Sequence, residues 1–160
     1  MSDELHLRFA GFSLSATALV RNKKGEVLVL RSPNPNRGWE LPGGALEESE
    51  SITDGLIRET LEETGIRIEV TNLVALLCNT EASRYIFLFL GERVSGKPTI
   101  SVESEEVKWI PEASLLETLQ RPKIKDRARL CLEFKGSPRH IVFQNKPYEI
   151  LEDRFLGSGG

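Results

Sequence analysis

The sequence predicts a layered fold in which β-strands and α-helices mix, and three observations carry that expectation. Strand-like apolar runs occur before, between and after helical segments, which favours a mixed α/β layer structure over an all-helical bundle. A hairpin signal lies near the start of the chain. A capped amphipathic helix follows within the first half.

In order along the chain, "SLSATALVR" and "EVLVLR" are apolar runs separated by "NKKG", whose Asn and Gly suit a tight turn, so residues 13–31 read as a hairpin. "SPNPNRG" then breaks the pattern and describes a loop that could lie over a ligand. Ser51, with Asp54 three residues on, resembles an N-terminal cap with an acidic first turn, and Gly65 suits a helix stop. The expected helix therefore runs from about Ser51 to Thr64. At ~100° per residue, Thr53, Ile57, Thr60, Leu61 and Thr64 share its packing face, while Glu59, Glu62 and Glu63 occupy another. "IRIEV", "LVALLCN", "RYIFLFL" and "EEVKWI" are further strands, "PEASLLETLQ" is helix-like, and a second helix is expected in "DRARLCLEF". With no internal repeat or linker, residues 1–156 read as one domain and 157–160 as a flexible tail.

Composition excludes several classes. A chain of 160 residues can bury most of the surface its unfolded form exposes, so folding requires no disulfide or structural metal. With 39% hydrophobic and 28% charged residues and a net charge of -3, the chain lies far from disordered or fibrous extremes. Cys78 and Cys131 stand far apart with no C-x-x-C spacing, which supports neither a disulfide framework nor a zinc site. "MSDELHLRFAGF" lacks a basic start followed by an apolar core, and no apolar run reaches the ~18 residues a membrane span needs. The expectation is a cytoplasmic protein with no membrane partner.

The chemistry concentrates between Trp39 and Ile66. Glu59 and Glu63 are four apart and Glu59 and Glu62 three apart, so the three carboxylates meet on one helical surface. Such like-charge pairs cost roughly 0.2–0.5 kcal/mol each in an exposed helix, a penalty that a divalent cation among them removes. Three glutamates on an arbitrary helix describe a solvated face. Here "LPGG" precedes them, and Gly43 and Gly44 allow backbone to approach a metal or phosphate closely. Hard oxygen donors suit Mg²⁺ or Mn²⁺ better than zinc.

The full spacing is Gly44, five residues, Glu50, seven residues, then "RETLEETGI" from Arg58 to Ile66. It resembles the Nudix box of Nudix hydrolases and matches eight of its nine specified positions. The departure is Thr60, where the family prefers an aliphatic residue, and it bears on packing more than on catalysis. The resemblance implies the Nudix fold, a mixed β-sheet sandwiched between α-helices. It also implies attack of a metal-activated water on a diphosphate linkage of a nucleoside diphosphate joined to another group. Carried over residue by residue, Glu59, Glu62 and Glu63 hold the metal, with Gly43 or Gly44 adding a backbone carbonyl. Arg58, always protonated, orients Glu50 or Glu59 through a charge-assisted hydrogen bond. Family members take their general base either from a box glutamate or from a later loop, and "SVESEEVKW" offers Glu103, Glu105 and Glu106.

Substrate choice lies outside the box. The Pro typical of ADP-ribose-type members is absent between Gly65 and Lys97, and Tyr85 lies near, but not at, the Tyr of dinucleoside-polyphosphate members. Trp39, Phe87 and Trp109 could stack on a base or pack in the core. "RPKIKDRARLCLEFKGSPR" sets seven basic residues against Asp126 and Glu133 and reads first as a solvated basic helix. A small-molecule nucleotide is thus the expected substrate. The alternatives are RNA 5′-end pyrophosphohydrolysis, disfavoured by the acidic net charge, and a non-catalytic nucleotide-sensing module, disfavoured by the intact glutamates. A homodimer is left open.

Overall fold

The computed structural model describes residues 11–157. The acidic N-terminus and most of the expected 157–160 tail lie outside the described residues. Strands β1 (Ser13–Arg21) and β2 (Val27–Arg31) form the expected antiparallel hairpin. Its turn is closed by the Asn22 carboxamide oxygen, which accepts the N–H groups of Lys24 and Glu26 at 3.0 Å each. There follow β3 (Trp39–Glu40), β4 (Gly43–Ala45), helix α1 (Ile52–Thr64), β5 (Ile66–Asn79), β6 (Arg84–Gly96) and β7 (Glu106–Ile110). A 3₁₀ turn (Glu112–Ser114), short helix α2 (Leu115–Thr118), helix α3 (Pro122–Leu132), β8 (Arg139–Asn145) and β9 (Tyr148–Phe155) complete the chain.

The strands run in the order β3-β2-β1-β6-β5-β8-β9, with β4 paired to β1 and β7 to β2. The β1–β6 and β5–β8 pairs are parallel and the others antiparallel, so the sheet is mixed. Alternation along β1 decides what covers each face. Ala16, Ala18 and Val20 point to one side, where they pack with Leu56 of α1 and with Ile66, Ile68 and Phe89. Leu19 points to the other, where Leu115, Leu119, Ile124, Ala128 and Cys131 of the second helical layer gather. The mixed sheet therefore sits between helices, as expected. Leu56 is fully buried, so Leu56→Ala is expected to cost about 2–5 kcal/mol of unfolding free energy, measured by denaturant titration.

Several expectations need correction. "IRIEV" and "LVALLCN" form the single strand β5, because bulges near Val70, Asn72 and Leu73 absorb the intervening polar residues without a turn. "PEASLLETLQ" is only a 3₁₀ turn and one turn of helix. Helix α3 begins at Pro122, ahead of Asp126, with Pro in the first turn, where its missing N–H costs nothing. The β8–β9 hairpin was not expected at all.

Helix α1 has the ends the sequence predicts. Ser51 Oγ accepts the Asp54 N–H at 3.1 Å, and Gly65, at φ 75°, donates to the Leu61 carbonyl. A side chain at Gly65 would also meet the Lys97 carbonyl oxygen at 2.7 Å. Its packing face is rotated from the expected one. Gly55, Leu56, Thr60, Glu63 and Thr64 are buried, whereas Leu61 is 43% exposed. The helical period is as predicted and the phase is not: Glu63, expected with Glu59 and Glu62 on an acidic face apart from the packing one, is buried, and its carboxylate accepts the Gly43 N–H of β4. Thr60, the departure from the box, is fully buried and its hydroxyl has no hydrogen-bond partner. Thr60→Val is isosteric and removes that unsatisfied group, and it is expected to raise stability by about 1–3 kcal/mol in the same titration.

Candidate active site

The site is built where α1 crosses β4. Strand β4 lies antiparallel to β1, with Ala16 opposite Gly44 and Thr17 opposite Gly43. Both glycines are required by close approach. A Cβ on Gly43, at φ 155°, would sit 2.2 Å from the Ala16 carbonyl oxygen, and one on Gly44 would sit 2.5 Å from the Glu59 carboxyl carbon. Backbone and carboxylate thus meet without an intervening side chain.

Glu63 Oε1 accepts the Gly43 N–H at 2.9 Å. Burial, reinforced by the nearby carboxylates of Glu59, Glu103 and Glu40, pushes its pKa up to about 8 against that single hydrogen bond. Glu59, one turn earlier, is also raised, mainly by burial, with Arg58 opposing. Both line a cleft that also takes Asn34, Arg37, Glu40, Gly43, Gly44, Ala45 and Glu103.

Arg58 holds the rim together. Its Nε and Nη2 donate to the two oxygens of Glu50 at 3.0 and 2.8 Å, and its Nη1 donates to Glu59 and Glu62, each at 3.1 Å. That fork, with the Glu47 N–H, pulls the Glu50 carboxyl down to about 2. Glu50 in turn raises the pKa of Arg58. Both Glu50 and Glu59 are therefore bonded to the guanidinium, the two partners the sequence singled out.

The remaining predicted residues divide. Glu62 has a half-exposed side chain turned toward Arg58 and is not among the residues lining the cleft. Of the three loop acids, Glu103 lines the cleft, while Glu105 and Glu106 pair with Arg31 at 2.9 and 3.3 Å beside a separate hollow under Trp39. What places Glu103 is Ser104, which sequence reasoning missed. Its buried hydroxyl donates to the Glu63 carbonyl at 2.6 Å and closes a tight turn with Ser101. The only sequence signal for it is a small polar residue within an acidic run.

Among the described residues no group of three or more His, Cys, Asp or Glu side chains is gathered closely enough to hold a metal ion as it stands. The donor set nevertheless fits a hard divalent ion. Glu59, Glu63 and Glu103 are carboxylates that repel one another across one cleft, with no sulfur or imidazole among the lining residues.

The aromatic candidates lie elsewhere. Trp39 is stacked under Lys108 (4.5 Å) and Arg31 (5.9 Å), Phe87 and Trp109 pack against the α1 side of the core, and Tyr85 pairs with Phe12 and His140. The basic segment differs from the solvated helix expected. Arg121, Lys123 and Arg127 turn into a second cleft, which shares Arg37, Glu40 and Gly43 to Ala45 with the acidic one. The reason is the helix period: Lys123 and Arg127 are one turn apart on the side of α3 that also buries Ile124.

Comparison with known proteins identifies the family and the fold. The family described as NUDIX domain matches residues 11–131. The chain is 38% identical over 98 residues to a MutT-like protein of Streptomyces ambofaciens, covering 61% of this chain and 63% of that one. It is 28% identical to the human (Homo sapiens) 8-oxo-dGDP phosphatase NUDT18, covering 88% of this chain and 46% of that protein. The chain thus spans less than two thirds of the length of either relative. The crystal structure of a NUDIX hydrolase from Nitrosomonas europaea superposes with a TM-score of 0.72 at 21% identity, covering 82% of this chain and 78% of that one, a likeness of fold. With the box on β4 and α1 and the match extending through most of the sheet and both helical layers, the chain belongs to the Nudix family.

Proposed function

We propose that this chain is a divalent-metal-dependent pyrophosphohydrolase that cleaves a diphosphate linkage in a small nucleotide joined to another group. The observation that carries the reading is the convergence of Glu59, Glu63 and Glu103 on a cleft floored by Gly43 and Gly44. The NUDT18 relative, named as an 8-oxo-dGDP phosphatase, supports a nucleotide substrate. Buried, unpaired Cys78 and Cys131 are in keeping with a reducing cytoplasm.

In this reading Glu59 and Glu63 would hold Mg²⁺ or Mn²⁺, and Glu62, bonded to Arg58 outside the cleft, would turn in to join them. When bound, the ion lowers the pKa of a water and offsets charge on the phosphate oxygens. Arg58, anchored on Glu50, donates directly to Glu59, orients it and opposes the rise that burial gives its pKa. The Gly43 N–H orients Glu63. Proton removal from the attacking water falls to Glu59 or Glu103, because among the other cleft carboxylates Glu63 is bonded to the Gly43 N–H and Glu40 to Arg37 and Arg121, while Glu105 and Glu106 are occupied by Arg31. The base is identified by comparing kcat for Glu59→Gln, Glu103→Gln, Glu105→Gln and Glu106→Gln over a Mg²⁺ series. The base variant is expected to lose about 10²–10⁴-fold at every metal concentration, and the Glu105 and Glu106 variants to stay close to wild type.

Turnover of a panel of nucleoside diphosphate derivatives and triphosphates, with product identification, tests the reaction itself. Metal-dependent release of a nucleoside monophosphate, abolished by EDTA, is expected. A folded chain that hydrolyses no member of the panel with Mg²⁺ or Mn²⁺ would refute it and favour a nucleotide-sensing module.

A further inference from the structure

Beside the acidic cleft lies a second one of about 260 Å³, and its charge is of the opposite sign. Arg37, Arg84, Arg121, Lys123 and Arg127 line it against one acid, Glu40. Glu40 is already engaged by Arg37 Nε at 3.0 Å and by Arg121. Arg84, Lys123 and Arg127 remain, and among the described residues none of them has a carboxylate within 4.0 Å. Arg84 Nε has only the Ser13 hydroxyl, at 3.3 Å.

A folded chain does not gather three unpaired cations in a cleft without consequence. Lys123 and Arg127 are one helical turn apart, a spacing at which like charges destabilise. Burial and the neighbouring cations lower both pKa values, that of Arg127 to about 10. An anion seated among them would remove the repulsion and replace the lost hydration.

Two further features say which anion. No aromatic side chain lines the cleft, so it offers no stacking platform for a base. It offers guanidinium forks, which match phosphate oxygens bidentately. Lys123 and Arg127 also border a neighbouring hollow against β8 and β9, but there Arg129 and Arg139 are paired with Asp126 and Asp153 at 2.9 and 3.1 Å, and Glu133 adds a further negative charge, so that hollow lacks the uncompensated cations of the basic cleft.

We propose that this basic cleft is a second anion site, which holds a phosphate group carried by the substrate outside the diphosphate that is hydrolysed. The substrate meaning rests on the hydrolase reading above; the anion site itself does not. Because Gly43 to Ala45 border both clefts, one polyphosphorylated small molecule can occupy the two together, with its scissile diphosphate on the carboxylate side. A nucleotide bearing a third phosphate, or a phosphate elsewhere on the molecule, fits this arrangement better than an RNA chain. An RNA track would need basic residues along an open surface with interleaved aromatics, whereas Lys125 and Arg129 of the same helix do not line the cleft.

The test is calorimetric titration of the full chain with inorganic tripolyphosphate in EDTA, so that no metal contributes. Wild type is expected to bind. The Lys123→Gln/Arg127→Gln double variant should bind at least tenfold more weakly, and Lys125→Gln/Arg129→Gln, with the same change in net charge, less than threefold. Should the first variant melt below the assay temperature, Arg84→Gln on the opposite wall takes its place and must weaken binding at least threefold. The site is overturned if wild type does not bind tripolyphosphate, or if the outer pair matters as much as the inner. A 5′-hydroxyl oligoribonucleotide that binds more tightly than tripolyphosphate, and through Lys123 and Arg127, overturns the small-molecule assignment in favour of RNA. Failure of the nucleotide panel with these binding results intact would sink the hydrolase reading and leave the anion site standing.

Discussion

Glu63→Gln is expected to lower kcat at saturating Mg²⁺ by about 100-fold or more, equivalent to roughly 3 kcal/mol of barrier. The substitution keeps the oxygen that accepts the Gly43 N–H and removes only the charge. It should also change stability in a direction that a purely structural role would not give. Glu63 is 8% exposed, and its pKa rises from 4.5 to about 8 on folding. For an acid raised in this way the folded state resists ionisation. The metal-free wild type therefore loses stability as pH climbs from about 4.5 to about 8, by roughly 1.4 kcal/mol per pKa unit at most. Gln cannot ionise and lacks this loss. In EDTA the two proteins should melt close together at pH 5 and diverge at pH 8.5, with the variant the more stable. Mg²⁺ should raise the Tm of wild type at pH 8.5 and leave the variant little changed. Matching pH slopes for the two proteins would contradict the placement of a buried, ionisable Glu63.

Arg58→Lys is expected to reduce kcat by about 10–100-fold and to raise the Mg²⁺ concentration needed for half-maximal rate, the pattern seen when the support of metal-binding carboxylates is removed. A lysine keeps the charge but cannot donate to both Glu50 oxygens while reaching Glu59 and Glu62. A second signature lies at low pH. Glu50 is held down to about 2 by this arginine, so its ionic bond contributes stability above pH 4.5 that fades as pH falls toward about 2. The variant should lose part of that acid-side dependence. Equal Mg²⁺ dependence in both proteins would reduce Arg58 to a surface ion pair.

How much of this could be read in the sequence follows from which interactions are local. The ends of α1 are written in Ser51 and Gly65, whose cap and left-handed turn need only neighbouring residues. The β1–β2 hairpin is written in the Asn22 turn for the same reason. The phase of α1 was not legible, because burying Glu63 depends on a backbone N–H of Gly43, 20 residues away. The β8–β9 hairpin was hidden because β8 pairs in parallel with distant β5, and the exposed face of β9 weakens its apolar alternation. Choosing Glu103 over Glu105 and Glu106 required knowing that Ser104 reaches across 41 residues to the end of α1. The inward turn of Lys123 and Arg127 likewise depends on which side of α3 meets the sheet.

The proposed function requires that Glu63 belong to a divalent-cation site and be more than a buried acid. Mn²⁺ binding followed by electron paramagnetic resonance at pH 8 tests it without any assumption about substrate. Loss of the free-ion signal on adding wild-type protein, with at least tenfold weaker binding by folded Glu63→Gln, is the predicted result; equal Mn²⁺ affinity in the two proteins, or none in wild type, would contradict it.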